Sequence, residues 1–262
     1  MATDPYAAPR SRVADVPALA DEGNFILDGQ AVPAGNGWTW ITDGWALFAK
    51  QPGIWIAIVV VFLIIFVVIS LIPFVGGLAA ALLGPVFAGG IMLGCRALDQ
   101  GDELEFGHLF AGFGDPFRKL VLLGAVYLAA LIVIVLVAAL VGGFSVAAVL
   151  GGISAGDVER ATIGGAALVI ALLIGLALFV PVAMAMWFAP ALIVFNHYGV
   201  TDAIKASFVG CLKNVVPFLV YGVIFLGLAI AATIPFGFGW LILGPTLAAS
   251  IYASYRDIYY AG

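Results

Sequence analysis

Charged side chains are scarce in this sequence. Asp, Glu, Lys and Arg make up only 10% of the 262 residues, and 64% are hydrophobic, whereas soluble domains average about 25% charged and about 45–50% apolar residues. This composition excludes a soluble globular domain and predicts an integral membrane protein. The net charge of −5 and the lack of any cluster of four or more basic residues argue against nucleic acid as a partner and against a polybasic lipid anchor.

Catalytic and metal-binding patterns are also missing. The two histidines, His108 and His197, have several carboxylates nearby in the sequence, but the spacings match no metal-binding motif. No nucleophile elbow, P-loop, zinc-protease helix or dinucleotide fingerprint occurs. We therefore expect a non-catalytic protein that needs no cofactor and no metal.

Ionisable residues are absent from the middle of the apolar runs, which removes the usual signature of active transport. Each run is close to the ~20 residues that a helix needs to cross a ~30 Å hydrocarbon core. The runs are continuously apolar rather than alternating, which indicates helices and not barrel strands. The sequence therefore predicts an all-α membrane protein with six transmembrane helices. They lie at about 54–72, 78–97, 120–141, 163–188, 215–234 and 238–255.

The basic residues are divided unevenly by these spans. With the N-terminus inside, only Arg160 of the 10 Lys and Arg residues lies outside, as the positive-inside rule requires. Both termini are therefore predicted to be cytoplasmic. No apolar stretch precedes residue 54, so we expect no cleavable signal and insertion through the first span. Cys95 and Cys211 would then face the reducing cytoplasm as free thiols.

The chain divides into a tail and a repeated transmembrane domain. Residues 1–35 are polar and rich in proline, which predicts a flexible cytoplasmic tail. Residues 36–262 are interpreted as three units, at about 36–99, 100–198 and 199–262. Each unit has an amphipathic surface helix, a proline and a hairpin of two spans. Every unit starts on the cytoplasmic side, so the repeats are predicted to be parallel.

The first surface helix is written "GWTWITDGWALFAKQP". Trp38, Ile41, Trp45 and Phe48 recur on one side at helical spacing. Tryptophan favours the headgroup zone, so Trp38 and Trp45 are predicted to anchor this helix at the membrane interface. The alternative is that the helix packs against cytoplasmic parts of the protein itself.

Two segments of the sequence match each other closely. "LGPVFAGGIMLGCRALD" occupies 83–99 and "LGPTLAASIYASYRDIY" occupies 243–259. A proline inside a helix produces a kink, and small residues spaced by four let helices approach closely. We predict that both helices lie at the centre of the bundle. The packing positions are Gly84, Pro85, Gly90, Gly94, Gly244, Pro245, Ala249 and Ala253.

Both segments carry an arginine near their C-terminal end, Arg96 and Arg256. One interpretation is that these side chains extend to the interface, where Asp99 and Asp257 can pair with them. The other is that the two arginines together bind an anionic lipid headgroup or solute. The sequence leaves both open.

Four blocks of the sequence resemble a family of proteobacterial six-helix inner-membrane proteins known by a locus-tag name. They are "GWTWITDGWALFAKQPGIWI", "SLIPFVGG", "LGPVFAGGIMLGCRALDQGDELEFGHLFAGF" and "ASFVGCLKNVVPFLVYG". The similarity spans about residues 36–255. More loosely, the stretch "FAPALIVFNHYGVTDAIKASFVGCLKNVVPF" is similar to the membrane domains of some glycerophosphodiester phosphodiesterases. The resemblance implies a bacterial inner-membrane location and the six-helix fold, and it implies no substrate or catalytic residue.

Together these features predict a non-catalytic inner-membrane protein that organises membrane lipids or a partner protein, which could be a second copy of the chain. The alternative is a passive channel or facilitator for a small solute, lined by Ser70, Thr233 and backbone carbonyls at broken helices. A lipid-modifying enzyme is the least supported class.

Overall fold

A computed structural model describes residues 25–73 and 75–261. Apart from one isolated antiparallel β-bridge between Phe25 and Tyr260, the regular structure of these residues is helical. One segment, Phe106–Phe113, is a 3₁₀ helix. The α-helices are α1 (Asn36–Lys50), α2 (Pro52–Ser70), α3 (Val75–Asp99), α4 (Phe117–Ala155), α5 (Val158–Trp187), α6 (Ala189–Asn196), α7 (Val200–Lys213), α8 (Val215–Thr233) and α9 (Trp240–Tyr259).

Five helical segments among the described residues are long and apolar enough to cross a membrane. They are Pro52–Ser70, Val75–Asp99, Phe117–Ala155, Val158–Asn196 and Val215–Thr233. This confirms the prediction of an all-helical membrane protein. α9, which the sequence analysis counted as the sixth span, is not one of these five, so the count of six stays a prediction.

α4 and α5 form a longer hairpin than predicted. α4 has 39 residues, which at 1.5 Å per residue is about 58 Å, roughly twice the ~30 Å hydrocarbon core. Gly156, with a left-handed φ of 67°, ends α4, and the Asp157 carboxylate accepts a hydrogen bond from the Arg160 amide at the start of α5. The spans predicted at about 120–141 and 163–188 are parts of these longer helices. The chain is helical between them except at the turn 156–157.

Each of the three amphipathic segments packs against helices of a different predicted unit. α1 lies on α9 and α8, the 3₁₀ helix lies on α3, and α7 lies on α5 and α6. α1 buries Trp40 and Phe48, whereas the Trp38 and Trp45 side chains are 54% and 52% exposed. α1 is therefore packed on one face and leaves a tryptophan face open.

Residues 25–32 lie along the end of α9. The amide of Ile26 donates to the Tyr259 carbonyl and that of Gln30 to the Ile258 carbonyl, both at 2.8 Å. Residues 25–32, which belong to the predicted tail, are therefore hydrogen-bonded to the end of α9. The rest of the predicted tail, residues 1–24, lies outside the described residues.

Candidate functional site

The ends of α3, α6 and α9 enclose a cavity of about 390 Å³, here called the arginine cavity. Arg96 and Arg256 both line it, because each lies in the last turn of its helix and these helix ends meet. The tertiary structure thus brings together the two arginines that the sequence marked as a pair. Other lining residues include Phe25, Phe195, Asn196, Tyr252, Tyr255 and Tyr260.

Arg96 is held by an aromatic ring. Its guanidinium carbon lies 4.6 Å from the centroid of Phe195, within the range of a cation–π contact. Phe195 is itself fixed by ring contacts with Tyr252 and Tyr255, at 6.0 and 5.4 Å between centroids. Among the described residues Arg96 makes no ion pair and no side-chain hydrogen bond. Its five N–H donors are therefore available to a ligand in the cavity.

Arg256 is paired across the two matching segments. Its Nη1 lies 2.8 Å from Oδ2 of Asp99, and the hydroxyl of Tyr252 donates to the same oxygen at 2.9 Å. Asp257 instead accepts hydrogen bonds from Asn36 Nδ2 and Trp40 Nε1, at 2.8 and 2.7 Å. Asp99 of the first segment thus pairs with Arg256 of the second segment, while Asp257 orients α1.

Hydroxyl and amide groups supply further polar atoms to the arginine cavity. The Tyr255 hydroxyl donates to Asn196 Oδ1 at 2.5 Å, and Asn196 Nδ2 lies 3.4 Å from the Tyr260 hydroxyl. His197 also lines the cavity. The arginine cavity therefore combines the Arg96 guanidinium, the Arg256 guanidinium that is paired with Asp99, and neutral donors and acceptors. Arg96 is the cation in this set that suits a phosphate-bearing group.

A second cavity, of about 350 Å³, lies on the same helices and is here called the apolar cavity. Its walls are apolar. Among the described residues that line it, Tyr127 and Trp187 alone have side chains with a polar N or O atom. Residues from α3, α4, α5, α6 and α9 line it, so it lies where the predicted three units meet. They include Ala80, Gly84, Pro85, Ala88, Met92 and Ala183.

A third cavity, of about 470 Å³, shares a wall with the arginine cavity. Tyr252, Arg256 and Tyr260 line both, and Asp43 from α1 faces the third cavity together with the two aspartates described above. Burial, and then the nearby carboxylates of Asp257 and Asp99, raise the pKa of Asp43 above its ordinary value. This side of Arg256 is therefore acidic.

The predicted packing glycines divide into two groups. A Cβ at Gly90 would meet the His108 carbonyl at 2.5 Å, and one at Gly94 would meet Leu104 at 2.6 Å, so both pack closely on the 3₁₀ segment. A Cβ at Gly84 or Gly244 would meet no atom of the described chain within 4 Å. These two are not close-packing positions, and Gly84 instead lines the apolar cavity. Pro245 and Ala249 are buried, and Ala253 lines the third cavity.

α1 contacts α9 through a glycine. A Cβ at Gly44 would lie 2.5 Å from the Thr246 carbonyl oxygen and 2.7 Å from the Ser250 amide nitrogen. These two residues come one and five positions after Pro245. Only a glycine at position 44 lets the two backbones approach this closely.

The 3₁₀ helix meets α3 in the same register. A Cβ at Gly112 would overlap the Val86 carbonyl oxygen and would lie 3.3 Å from the Gly90 amide nitrogen. Val86 and Gly90 come one and five positions after Pro85. The contact of a small residue with an i, i+4 pair of backbone groups therefore occurs in both matching segments.

α7 makes a related contact with the end of α5. The Ser207 hydroxyl donates to the Met184 carbonyl at 2.7 Å and accepts from the Phe188 amide at 2.9 Å. Met184 and Phe188 are again four residues apart, so a small residue of the amphipathic segment bridges the break between α5 and α6. We call these three contacts, centred on Gly44, Gly112 and Ser207, the wedge contacts.

Three lysines bind backbone carbonyls near the ends of helical hairpins. Lys50 Nζ donates to the Leu98 carbonyl at 2.6 Å and Lys119 Nζ to the His197 carbonyl at 2.7 Å. Lys213 Nζ donates to the Gly29 carbonyl at 2.9 Å. Each lysine lies close after a wedge contact in the sequence, so the three amphipathic segments share a second feature.

The two polar residues predicted to line a solute path lie at the surface. Ser70 and Thr233 each donate to a carbonyl of their own helix, Val67 and Ala229 respectively, and both are exposed. They therefore line no path through the bundle. Cys95 and Cys211 are free and buried, and burial raises the pKa of Cys211 to about 12.

Sequence reasoning missed two residues that organise the site. Trp40 is 1% exposed and binds Asp257, and it is not one of the four α1 residues that the pattern of apolar side chains indicated. Asn214 is fully buried and accepts from the Val32 amide at 2.8 Å. A tryptophan and an asparagine at the ends of amphipathic segments carry no local signal of a distant partner.

One comparison with known proteins found a relative. The chain is 30% identical over 226 residues to a probable inner membrane protein of Burkholderia thailandensis, an alignment that covers 85% of this chain and 82% of that protein. This confirms the resemblance to proteobacterial inner-membrane proteins. No protein-family model matches the chain, and no solved structure matches it.

Proposed function

Because the chain belongs to the family of this Burkholderia thailandensis inner membrane protein, we propose that it is a non-catalytic integral inner-membrane protein that binds anionic lipid. The headgroup occupies the arginine cavity. The observation that carries this proposal is Arg96, a guanidinium in the last turn of α3 that faces the cavity with an aromatic ring as its described partner. An anion in the cavity would pair with Arg96 with little movement of the side chain.

The orientation that we propose places the arginine cavity at the cytoplasmic face. Arg160 lies at the start of α5 beside the hairpin turn, whereas the cavity arginines and the three carbonyl-binding lysines lie at the opposite end of the helices. The positive-inside rule then assigns that end, and both termini, to the cytoplasm. An anionic headgroup of the inner leaflet could enter from there.

We also propose six spans arranged as three related units. The wedge contacts support this, since each amphipathic segment packs on the last long helix of a different unit. α1 of the first unit lies on α9 of the third unit. The 3₁₀ helix of the second unit lies on α3 of the first, and α7 of the third unit lies on α5 of the second. α9 counts as the sixth span because it pairs with α8 as α3 does with α2, although its hydroxyl and charged residues make it less apolar.

Lipid retained through purification tests the proposal. Parent protein, Arg96→Gln and Arg160→Gln are extracted in mild detergent, and bound phospholipid is measured by mass spectrometry. Arg160→Gln is the matched control, because it removes the same charge at the far end of the hairpin. We expect Arg96→Gln to retain about tenfold less anionic lipid than the parent protein, because a tenfold change in affinity corresponds to the loss of about one charge-assisted hydrogen bond. Arg160→Gln should retain as much lipid as the parent.

A soluble anion is the competing ligand with the same chemistry. Inorganic phosphate is therefore added to delipidated protein, and its effect on thermal stability is compared with that of phosphatidylglycerol. Arg96-dependent stabilisation by the lipid alone supports the proposal. Equal stabilisation by phosphate, or an Arg96→Gln protein that keeps its lipid, would overturn it.

A further inference from the structure

The apolar cavity lies one helical turn from the arginine cavity on three helices at once. On α3, Met92 lines the apolar cavity and Arg96 lines the arginine cavity. The same four-residue step occurs on α6, from Ala191 to Phe195, and on α9, from Ile251 to Tyr255. Four residues rise about 6 Å along a helix, so the two cavities are stacked along the bundle axis.

The dimensions of the apolar cavity fit part of a lipid. Its α3 wall extends from Ala80 to Met92, which is about 18 Å of helix. One leaflet of the hydrocarbon core is about 15 Å thick. The small side chains along this wall, Gly84 and Ala88 among them, leave room that larger residues would fill. Its lining is almost entirely apolar, which favours an apolar ligand over ordered water.

From this stacking we infer that the apolar cavity takes one acyl chain of the lipid whose headgroup is held by Arg96. The inference rests on the function proposed above and adds the ligand class, an anionic phospholipid with a long acyl chain. The apolar cavity lies one helical turn from the arginine cavity. This order matches a phospholipid, in which an apolar acyl chain is joined to an anionic headgroup. The acyl chain would contact α3, α5, α6 and α9, and so join the three proposed units.

Chain length tests this inference with the parent protein alone. Phosphatidylglycerols with six-, eight- and sixteen-carbon chains, and glycerol phosphate as the headgroup without chains, are titrated into delipidated protein in detergent. We expect affinity to rise by at least about tenfold from glycerol phosphate to the sixteen-carbon lipid. Equal affinity for all four ligands would overturn the inference.

Filling the cavity tests it by mutation. Gly84→Leu and Ala183→Leu add bulk from opposite walls, and Gly222→Leu adds the same bulk to an exposed position of α8 where a Cβ would meet nothing within 4 Å of the described chain. The cavity variants should bind the sixteen-carbon lipid about tenfold more weakly and glycerol phosphate as the parent does. Gly222→Leu should bind both normally.

The outcomes separate this inference from the proposed function. If both cavity variants bind the long-chain lipid like the parent while Arg96→Gln does not, the headgroup site stands and the acyl-chain site is wrong. If Arg96→Gln also binds every ligand like the parent, the proposed function is wrong. Gel filtration identifies any variant that fails to fold, and the chain-length series decides the question without variants.

Discussion

The contact between Gly44 and α9 gives the sharpest test of how the bundle is held together. In Gly44→Ala the new Cβ would lie 2.5 Å from the Thr246 carbonyl oxygen and 2.7 Å from the Ser250 amide. Ordinary contacts of a Cβ begin at 3.4 Å, so α1 would have to move by about 0.9 Å from α9. Both clashing atoms belong to a helix backbone and cannot rotate away.

Two opposing terms set the size of the effect. Overpacking of this kind costs about 1–3 kcal/mol, because moving α1 also disturbs the buried Trp40 and Phe48. Replacing a glycine inside a helix by alanine returns up to ~1 kcal/mol through helix propensity. We expect a net loss of about 1–2 kcal/mol, which for a chain of this size is a fall in Tm of about 2–8 °C.

Thermal unfolding in detergent, followed by tryptophan fluorescence at one fixed scan rate, measures this fall. Gly227→Ala on α8 is the matched control, because it is a helical glycine whose Cβ would meet nothing within 4 Å of the described chain. Gly112→Ala tests the second wedge contact and should fall by a similar amount. Gly227→Ala should keep or slightly raise the Tm, because it gains helix propensity without a clash. If Gly44→Ala has the same Tm as Gly227→Ala, the close approach of α1 to α9 is not what stabilises the bundle.

Topology and pH dependence supply two further predictions. A thiol at the hairpin turn, Ala155→Cys, should react with a membrane-impermeant maleimide on intact cells, and Gln100→Cys at the other end should react only after permeabilisation; the reverse pattern would invert the proposed orientation. Asp43 has a raised pKa in the folded state, owing to burial, Asp257 and Asp99, so its effect on stability worsens as pH rises above its unfolded pKa. Asp43→Asn should therefore raise the Tm at pH 7 and do so less at pH 4, and an equal change at both would contradict this.

The class of protein and most helix starts could be predicted from local sequence. Pro52 begins α2 and Pro190 is the second residue of α6, since a proline lacks the N–H that the first turn leaves unbonded. The full length of the hairpin of α4 and α5 could not be predicted, because a span was expected to have about 20 residues. Backbone groups away from water must bond within the chain, so the helices continue through the glycines until Gly156.

The sequence predicted which two arginines belong to the candidate site, but it did not predict which residues contact them. The repeated "LGP" segments marked Arg96 and Arg256 as a related pair, because sequence repetition is visible without a structure. Their partners were not visible. Arg256 pairs with Asp99 from the other segment, and Arg96 lies over Phe195 of α6, since contact across a bundle depends on how helices are placed and not on spacing along the chain.

The amino-acid sequence by itself determined that the chain is helical and belongs in a membrane, and which short segments are amphipathic. Those properties follow from composition and from the period of one helix. Only the tertiary structure decided that the arginine cavity and the apolar cavity are stacked, because three separate helices must share one register for both cavities to form. Steric fit between separate segments, as where Gly44 meets α9 and Gly112 meets α3, leaves no trace in the local pattern.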